Sequence, residues 1–290
     1  MADLRYEAPQ SLDAAVALLK GATGVTRILA GGTDVIVQME TDLIEPELII
    51  DIKKIPEIGK IVGENGGFRI GATVPAMELI DHKALCMAWP GVIDGVKLIG
   101  SIQVKGRATI VGNLCNASPA ADSVPPMVTA GAMARIVGPS GVREAAVAQI
   151  PAGPGKTTLA KGEIITSIFL PARPKHSGDA YERFTPRTEM DIAVVGVAVN
   201  LTLDASGVCV AARVAIGAVA PTVIEVQECA RALIGTKLDD AALGKMAAAA
   251  SAACKPIDDK RGTREFRIKI AGVLAKRVAQ KALERAGHNR

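Results

Sequence analysis

The chain has 290 residues, enough for two domains or one large one. With 49% hydrophobic and 22% charged residues it has the make-up of a folded globular protein and not of a disordered one. Lys and Arg number 34 against 30 Asp and Glu, and aromatics make up only 2%, so neither the charge nor the stacking rings that nucleic acid demands are there, and no nucleic-acid partner is expected.

In chain order, Ser11 ahead of Leu12, Val16 and Leu19, closed by Gly21, predicts a capped helix. Residues 26–30 predict a short strand that runs into Gly31-Gly32, after which Thr33-Asp34 caps a second helix to about Met39. Strands are expected over 48–52 and 67–74, and Pro75 opens a helical segment to about Leu85. Residues 102–110 are expected to be extended, leading into a turn at Val111-Gly112-Asn113 and a loop of small residues up to Asp122. Pro139-Ser140-Gly141 between 135–137 and 142–146 predicts a hairpin, and 162–171 holds one more strand. Residues 172–179 lack apolar periodicity and place the domain boundary, giving units 1–175 and 176–290. Beyond it, 181–184, 192–203 and 208–219 read as strands, and 223–234, 239–253 and 263–286 as three helices, an α+β unit.

The longest apolar stretch, 192–199, is far short of the ~20 residues that cross a bilayer, so no membrane span is expected. The first residues carry acidic groups and no apolar stretch, which points to the cytoplasm. Cys86, Cys115, Cys209, Cys229 and Cys254 form no CxxC pair, and His82, His176 and His288 form no HExxH, so neither a metal nor an iron-sulfur site is expected here.

Ala30-Gly31-Gly32-Thr33-Asp34 sets backbone N–H groups at the start of a helix, where unsatisfied donors and the helix dipole favour an anion such as a phosphate. By itself a Gly-Gly turn is more often a plain turn, and there is no GxGxxG. The segment 109–122, with Thr109, Gly112, Asn113 and Asp122, offers amides, hydroxyls and a carboxylate suited to an extended polar ligand, or to a surface loop in which Asp122 caps the next helix. Gly155-Lys156-Thr157 is the tail of a P-loop, but Ile150 stands where its first glycine belongs, so the P-loop reading fails and Lys156 is expected to be solvated. Arg183 and Arg187 flank Phe184-Thr185-Pro186; positive charge there would stabilise an anionic flavin, or pair with Glu182 or Glu189. No nucleophile elbow, Cys-His pair or acid pair suggests catalysis by the chain itself.

Taken together, 30–34 and 109–122, followed in order by 153–157, Glu163-Ile164-Ile165, Arg183 and Asp191-Ile192-Ala193, resemble the FAD-binding subunits of the molybdenum hydroxylases, over nearly the whole chain. That resemblance implies a two-lobed PCMH-type FAD-binding domain followed by a small antiparallel sheet with three helices. It implies FAD as cofactor. Ala30, Gly31, Gly32, Thr33 and Asp34 would meet its phosphates, and Thr109, Gly112 and Asn113 would face the phosphate or ribityl chain from the other side. Asp122 would bind a hydroxyl of the FAD, Ile165 would pack near the isoalloxazine, Arg183 would lie in the flavin pocket, and Arg187 would act from farther off. It also implies an electron-transfer subunit in a hetero-oligomer, such as a dimer of heterotrimers, with a molybdopterin-binding large subunit and a small subunit carrying two 2Fe-2S clusters. A stand-alone flavin reductase and a non-redox nucleotide-binding or assembly module are the alternatives. Val111 departs from the family, which has glycine there, and is expected to hold β-region torsions because a β-branched residue pays ~1–2 kcal/mol in the left-handed region.

Overall fold

The computed structural model describes residues 4–288. Two hydrophobic cores organise it, one built almost wholly from residues before 171 and one from residues after 179.

The first core joins two sheets. Strands Arg5–Glu7, Leu48–Asp51 and Thr26–Leu29 lie parallel in that spatial order. The central strand is buried at all four positions, as a parallel strand covered on both faces should be. Helix Leu12–Gly21 makes the first crossover; Ser11 caps it by accepting from the Ala14 N–H at 3.3 Å. The other sheet has five antiparallel strands in the order Ile61–Glu64, Gly67–Gly71, Ile164–Leu170, Met133–Gly138 and Gly141–Ala146. The predicted hairpin is there, with Gly138 paired to Gly141 across Pro139-Ser140.

Between these strands the chain is helical where an extended segment is expected. Ile102–Lys105 and Ile110–Cys115 are both helices. The preference of Ile and Val for strands is weak, and here a side-chain cap outweighs it. Ser101 accepts from the Val104 N–H at 3.4 Å and Thr109 from the Gly112 N–H at 2.9 Å. Val111 is therefore helical and buried in the core, not extended, and needs no glycine. Pro90–Lys97 and Val124–Thr129 are further helices absent from the sequence reading.

The second core lies under a four-stranded antiparallel sheet, Ser177–Phe184, Val195–Leu203, Cys209–Gly217 and Ile224–Glu225. Helices Gln227–Leu233, Asp240–Ala253 and Arg264–His288 follow. The last helix buries Ala271, Leu274, Ala275, Val278, Ala279, Ala282 and Ala286, one face at helical spacing. It lies so close to the sheet that a Cβ on Gly178 would fall 1.8 Å from the Ala282 carbonyl oxygen.

The opposite face of this sheet packs on the first unit. Residues 195–199 are all buried for that reason, since both faces of the strand are covered. The junction is polar in places. Asp179, 2% exposed, accepts from the Gly91 N–H at 2.9 Å and pairs with Arg173 at 2.8 Å, while Arg285 meets Asp94 at 2.6 Å. No helix of the described residues is long and apolar enough to cross a membrane.

Candidate functional site

A cleft of about 520 Å³ opens in the first unit, where the end of the parallel sheet faces the five-stranded one. Its first wall is the turn Ala30-Gly31-Gly32-Thr33-Asp34, entered from strand Thr26–Leu29 and left through helix Val35–Glu40. Gly32 has φ +80°, which lets the chain reverse there. The carbonyl groups of Gly32 and Asp34 accept the first helical bonds, from Ile36 and Gln38. The N–H groups of Gly31, Gly32, Thr33 and Asp34 bond to nothing among the described residues. These open donors on a cleft wall are what an anion needs.

The facing wall runs from Ala108 to Asn116, with Thr109, Gly112, Asn113 and Cys115 on the cleft. Here the donors are already used. The Gly112 N–H goes to the Thr109 hydroxyl and the Asn113 N–H to the Thr109 carbonyl, both at 2.9 Å. Thr109 is thus a helix cap, and what this wall offers is side chains, Asn113 above all. The two walls touch. A Cβ on Gly31 would lie 2.2 Å from the Arg107 carbonyl oxygen, and the Asn116 side chain donates to Asp34 and accepts from Gln38, each at 3.1 Å. Ile164 and Ile165, from the middle strand of the five-stranded sheet, give an aliphatic floor. Gly155 and Thr157 close one side, whereas Lys156 between them is exposed and off the cleft.

Asp122 and Arg183 are not among the residues that line this cleft. They meet each other. The Arg183 guanidinium and the Tyr181 hydroxyl, the latter at 2.8 Å, both donate to the Asp122 carboxylate at the junction of the two units. Burial pushes the Asp122 carboxyl up to about 6, against the lowering effect of Arg183 and Tyr181. Arg187 stays exposed and pairs with Asp191 at 3.6 Å, not with Glu182 or Glu189. Asp34 is at the rim, and loss of water to the wall behind it raises its carboxyl.

Arg27 and Gln38 also line the cleft and escaped the sequence reading, and Asn116 lines it from within the 109–122 segment without having been singled out. A charged residue inside the strand that leads into Gly31-Gly32 was the available signal for Arg27. Gln38 carried none, because only folding sets it beside Asn116. Cys115 is half-buried in the wall, and desolvation pushes its thiol up to about 12. Among the described residues no group of three or more His, Cys, Asp or Glu side chains could hold a metal ion.

Open main-chain donors on one wall, amide side chains on the other and an aliphatic floor make a cleft for a nucleotide cofactor that carries phosphates and a flat ring. The residues present fit FAD. Comparison with known proteins agrees. Residues 2–173 match the FAD binding domain in molybdopterin dehydrogenase, and residues 180–282 match the CO dehydrogenase flavoprotein C-terminal domain. The carbon monoxide dehydrogenase medium chain of Afipia carboxidovorans is 36% identical over 97% of both chains. The xanthine dehydrogenase FAD-binding subunit of Escherichia coli is 31% identical over 90% of both. Reconstituted CO dehydrogenase from Oligotropha carboxidovorans contains a chain that superposes with a TM-score of 0.93 at 35% identity, covering 97% of this chain and 98% of that one. The chain belongs to the family of FAD-binding subunits of molybdopterin dehydrogenases, oxidoreductases of the carbon monoxide and xanthine dehydrogenase type.

Proposed function

We propose that this chain is the electron-transfer subunit of a multi-subunit molybdenum hydroxylase. In this reading it takes electrons from iron-sulfur clusters on a small partner subunit, after substrate is oxidised on a molybdopterin-binding large subunit, and passes them to a terminal acceptor. The observation that carries the proposal is the likeness to the CO dehydrogenase medium chain through both units, with the open N–H donors of residues 31–34 where a cofactor phosphate would lie. Bound FAD supplies chemistry that accepts and releases electrons singly or in pairs, while the protein supplies position and electrostatics.

In this proposal the turn Ala30-Gly31-Gly32-Thr33-Asp34 holds the pyrophosphate through its main-chain N–H groups, with Arg27 adding positive charge from the same wall. Asn113 meets the ribityl chain or phosphate from the facing wall, Thr109 and Gly112 shape that wall, and Ile165 packs beside the isoalloxazine. Asp122 and Arg183 act from behind the second wall, where they lock residues 116–123 to the second unit.

The test is isolation of the complex from its native source. The chain should copurify with a molybdopterin-containing subunit and an iron-sulfur subunit, and its flavin should bleach on addition of the complex's substrate but not when the chain is alone. A chain that runs alone and oxidises a carbon substrate at full rate is a stand-alone flavoenzyme instead. The FAD is expected to be held without a covalent bond. Cys115 is the one cysteine on the cleft, and a thiol held near 12 stays protonated and is a poor nucleophile at neutral pH. Acid precipitation should therefore leave the yellow cofactor in the supernatant; colour retained in the pellet would contradict this.

A further inference from the structure

We infer that Ser123 is a positioning residue for the cofactor: its hydroxyl holds the Asn113 side chain in place on the cleft wall, with the amide NH2 on the cleft side. The inference rests on the FAD reading above. An asparagine amide offers an acceptor at one end and donors at the other, and without a partner it turns either end outward. Here the Ser123 hydroxyl donates to Asn113 Oδ1 at 2.7 Å. Asn113 lines the cleft, and its NH2 group donates to nothing among the described residues. With Oδ1 engaged from behind, the wall presents a donor to the cofactor. Its natural partner is an oxygen acceptor, either a phosphate oxygen or a ribityl hydroxyl. The opposite orientation would set an amide oxygen against phosphate.

Ser123 is well placed to hold Asn113 there. It is fully buried, and the helix that follows it, Val124–Thr129, is buried at every position. On its other side stands Asp122, tied to Tyr181 and Arg183 of the second unit. Two consecutive residues thus form a pin. One prong anchors in the second unit, and the other reaches the cofactor wall. A group held this way is organised before the ligand arrives, which saves the cost of ordering it on binding.

The experiment is FAD titration, followed by flavin fluorescence, of the full-length chain stripped of its cofactor. Ser123→Ala should raise the Kd about 3- to 10-fold, the worth of one neutral hydrogen bond. Ser123→Cys, which restores the volume but only a weak donor, should stay close to Ser123→Ala. In an Asn113→Ala background, Ser123→Ala should change the Kd by less than about twofold, because the two residues then act as one unit. Asn113→Asp keeps an acceptor for Ser123 but loses the donor, and should weaken FAD at least as much as Asn113→Ala. An unchanged Kd in Ser123→Ala, full restoration by Ser123→Cys, or an equal loss in the Asn113→Ala background would overturn the role, the last two assigning Ser123 to packing. A wild-type chain that takes up no FAD overturns the functional reading itself, and this inference with it.

Discussion

Gly31→Ala is expected to strip the chain of FAD, and to do so more thoroughly than Gly32→Ala. A Cβ at Gly31 would stand 2.2 Å from the Arg107 carbonyl oxygen, 2.8 Å from its carbon and 3.0 Å from the Ala108 Cα. All three are main-chain atoms, so the first wall or the segment entering the second must move, and the spacing between the two cofactor walls changes with it. Overpacking of this kind costs about 2–3 kcal/mol, which corresponds to roughly 30- to 150-fold in affinity if it falls on the cofactor-binding geometry. At Gly32 the obstacles are the ends of the Leu29 and Ile36 side chains, each at 3.0 Å and neither on the cleft. Bulk there does not fill the phosphate space. The cost comes instead from φ +80°, about 1–2 kcal/mol for an L-residue in the left-handed region. The ratio of flavin to protein after purification reads the difference, and a Gly31→Ala chain that keeps a full complement of FAD would show that the walls are not held at this spacing.

Asp122→Ala should destabilise the chain by about 3–5 kcal/mol, the usual loss when one partner of a buried ion pair is removed. Arg183, with a side chain only 6% exposed, would be left with a buried charge, and the Tyr181 hydroxyl would lose its acceptor. The same carboxyl carries a pH signature. Its folded pKa of about 6 lies above the ordinary value of 3.8, with burial as the main cause. A carboxyl raised in the fold contributes stability below its unfolded pKa and loses that contribution as pH rises through the folded one. Between about pH 4 and 6 this group therefore lowers stability as pH rises, by up to about 3 kcal/mol, and contributes no further slope above that. Asp51, Glu64, Glu163 and Asp191 are lowered in the fold, and their slopes run the other way. The test is accordingly a difference: urea unfolding of wild type against Asp122→Asn across pH 4–7. Wild type should lose stability relative to the variant as pH rises, and parallel curves would mean that the carboxyl is not desolvated where the fold puts it.

Much of this protein is legible in the amino-acid order. Local signals sufficed for the Ser11 cap, the Pro139-Ser140 hairpin, the three C-terminal helices and the Gly31-Gly32 turn at a strand's end. The resemblance to flavin subunits also came from contiguous motifs, since the residues of each cofactor wall follow one another in the chain. Tertiary structure decided what distant segments do to each other. Residues 102–105 and 110–115 are helical against the strand preference of their Ile and Val. The caps that start them, Ser101 and Thr109, act over only three residues and stood in the sequence, whereas the burial of Ile110 and Val111 in the core is the work of packing. Asp122 and Arg183 read as two independent flavin contacts, yet folding sets their charges against one another, because a buried charge far from water must find a partner and the second unit brings one 61 residues on. Asn113 and Ser123 carry no joint signal at ten residues' spacing. The hydroxyl that holds the Asn113 side chain on the cofactor wall is delivered only by packing, so that placement belongs to the fold and not to the motif.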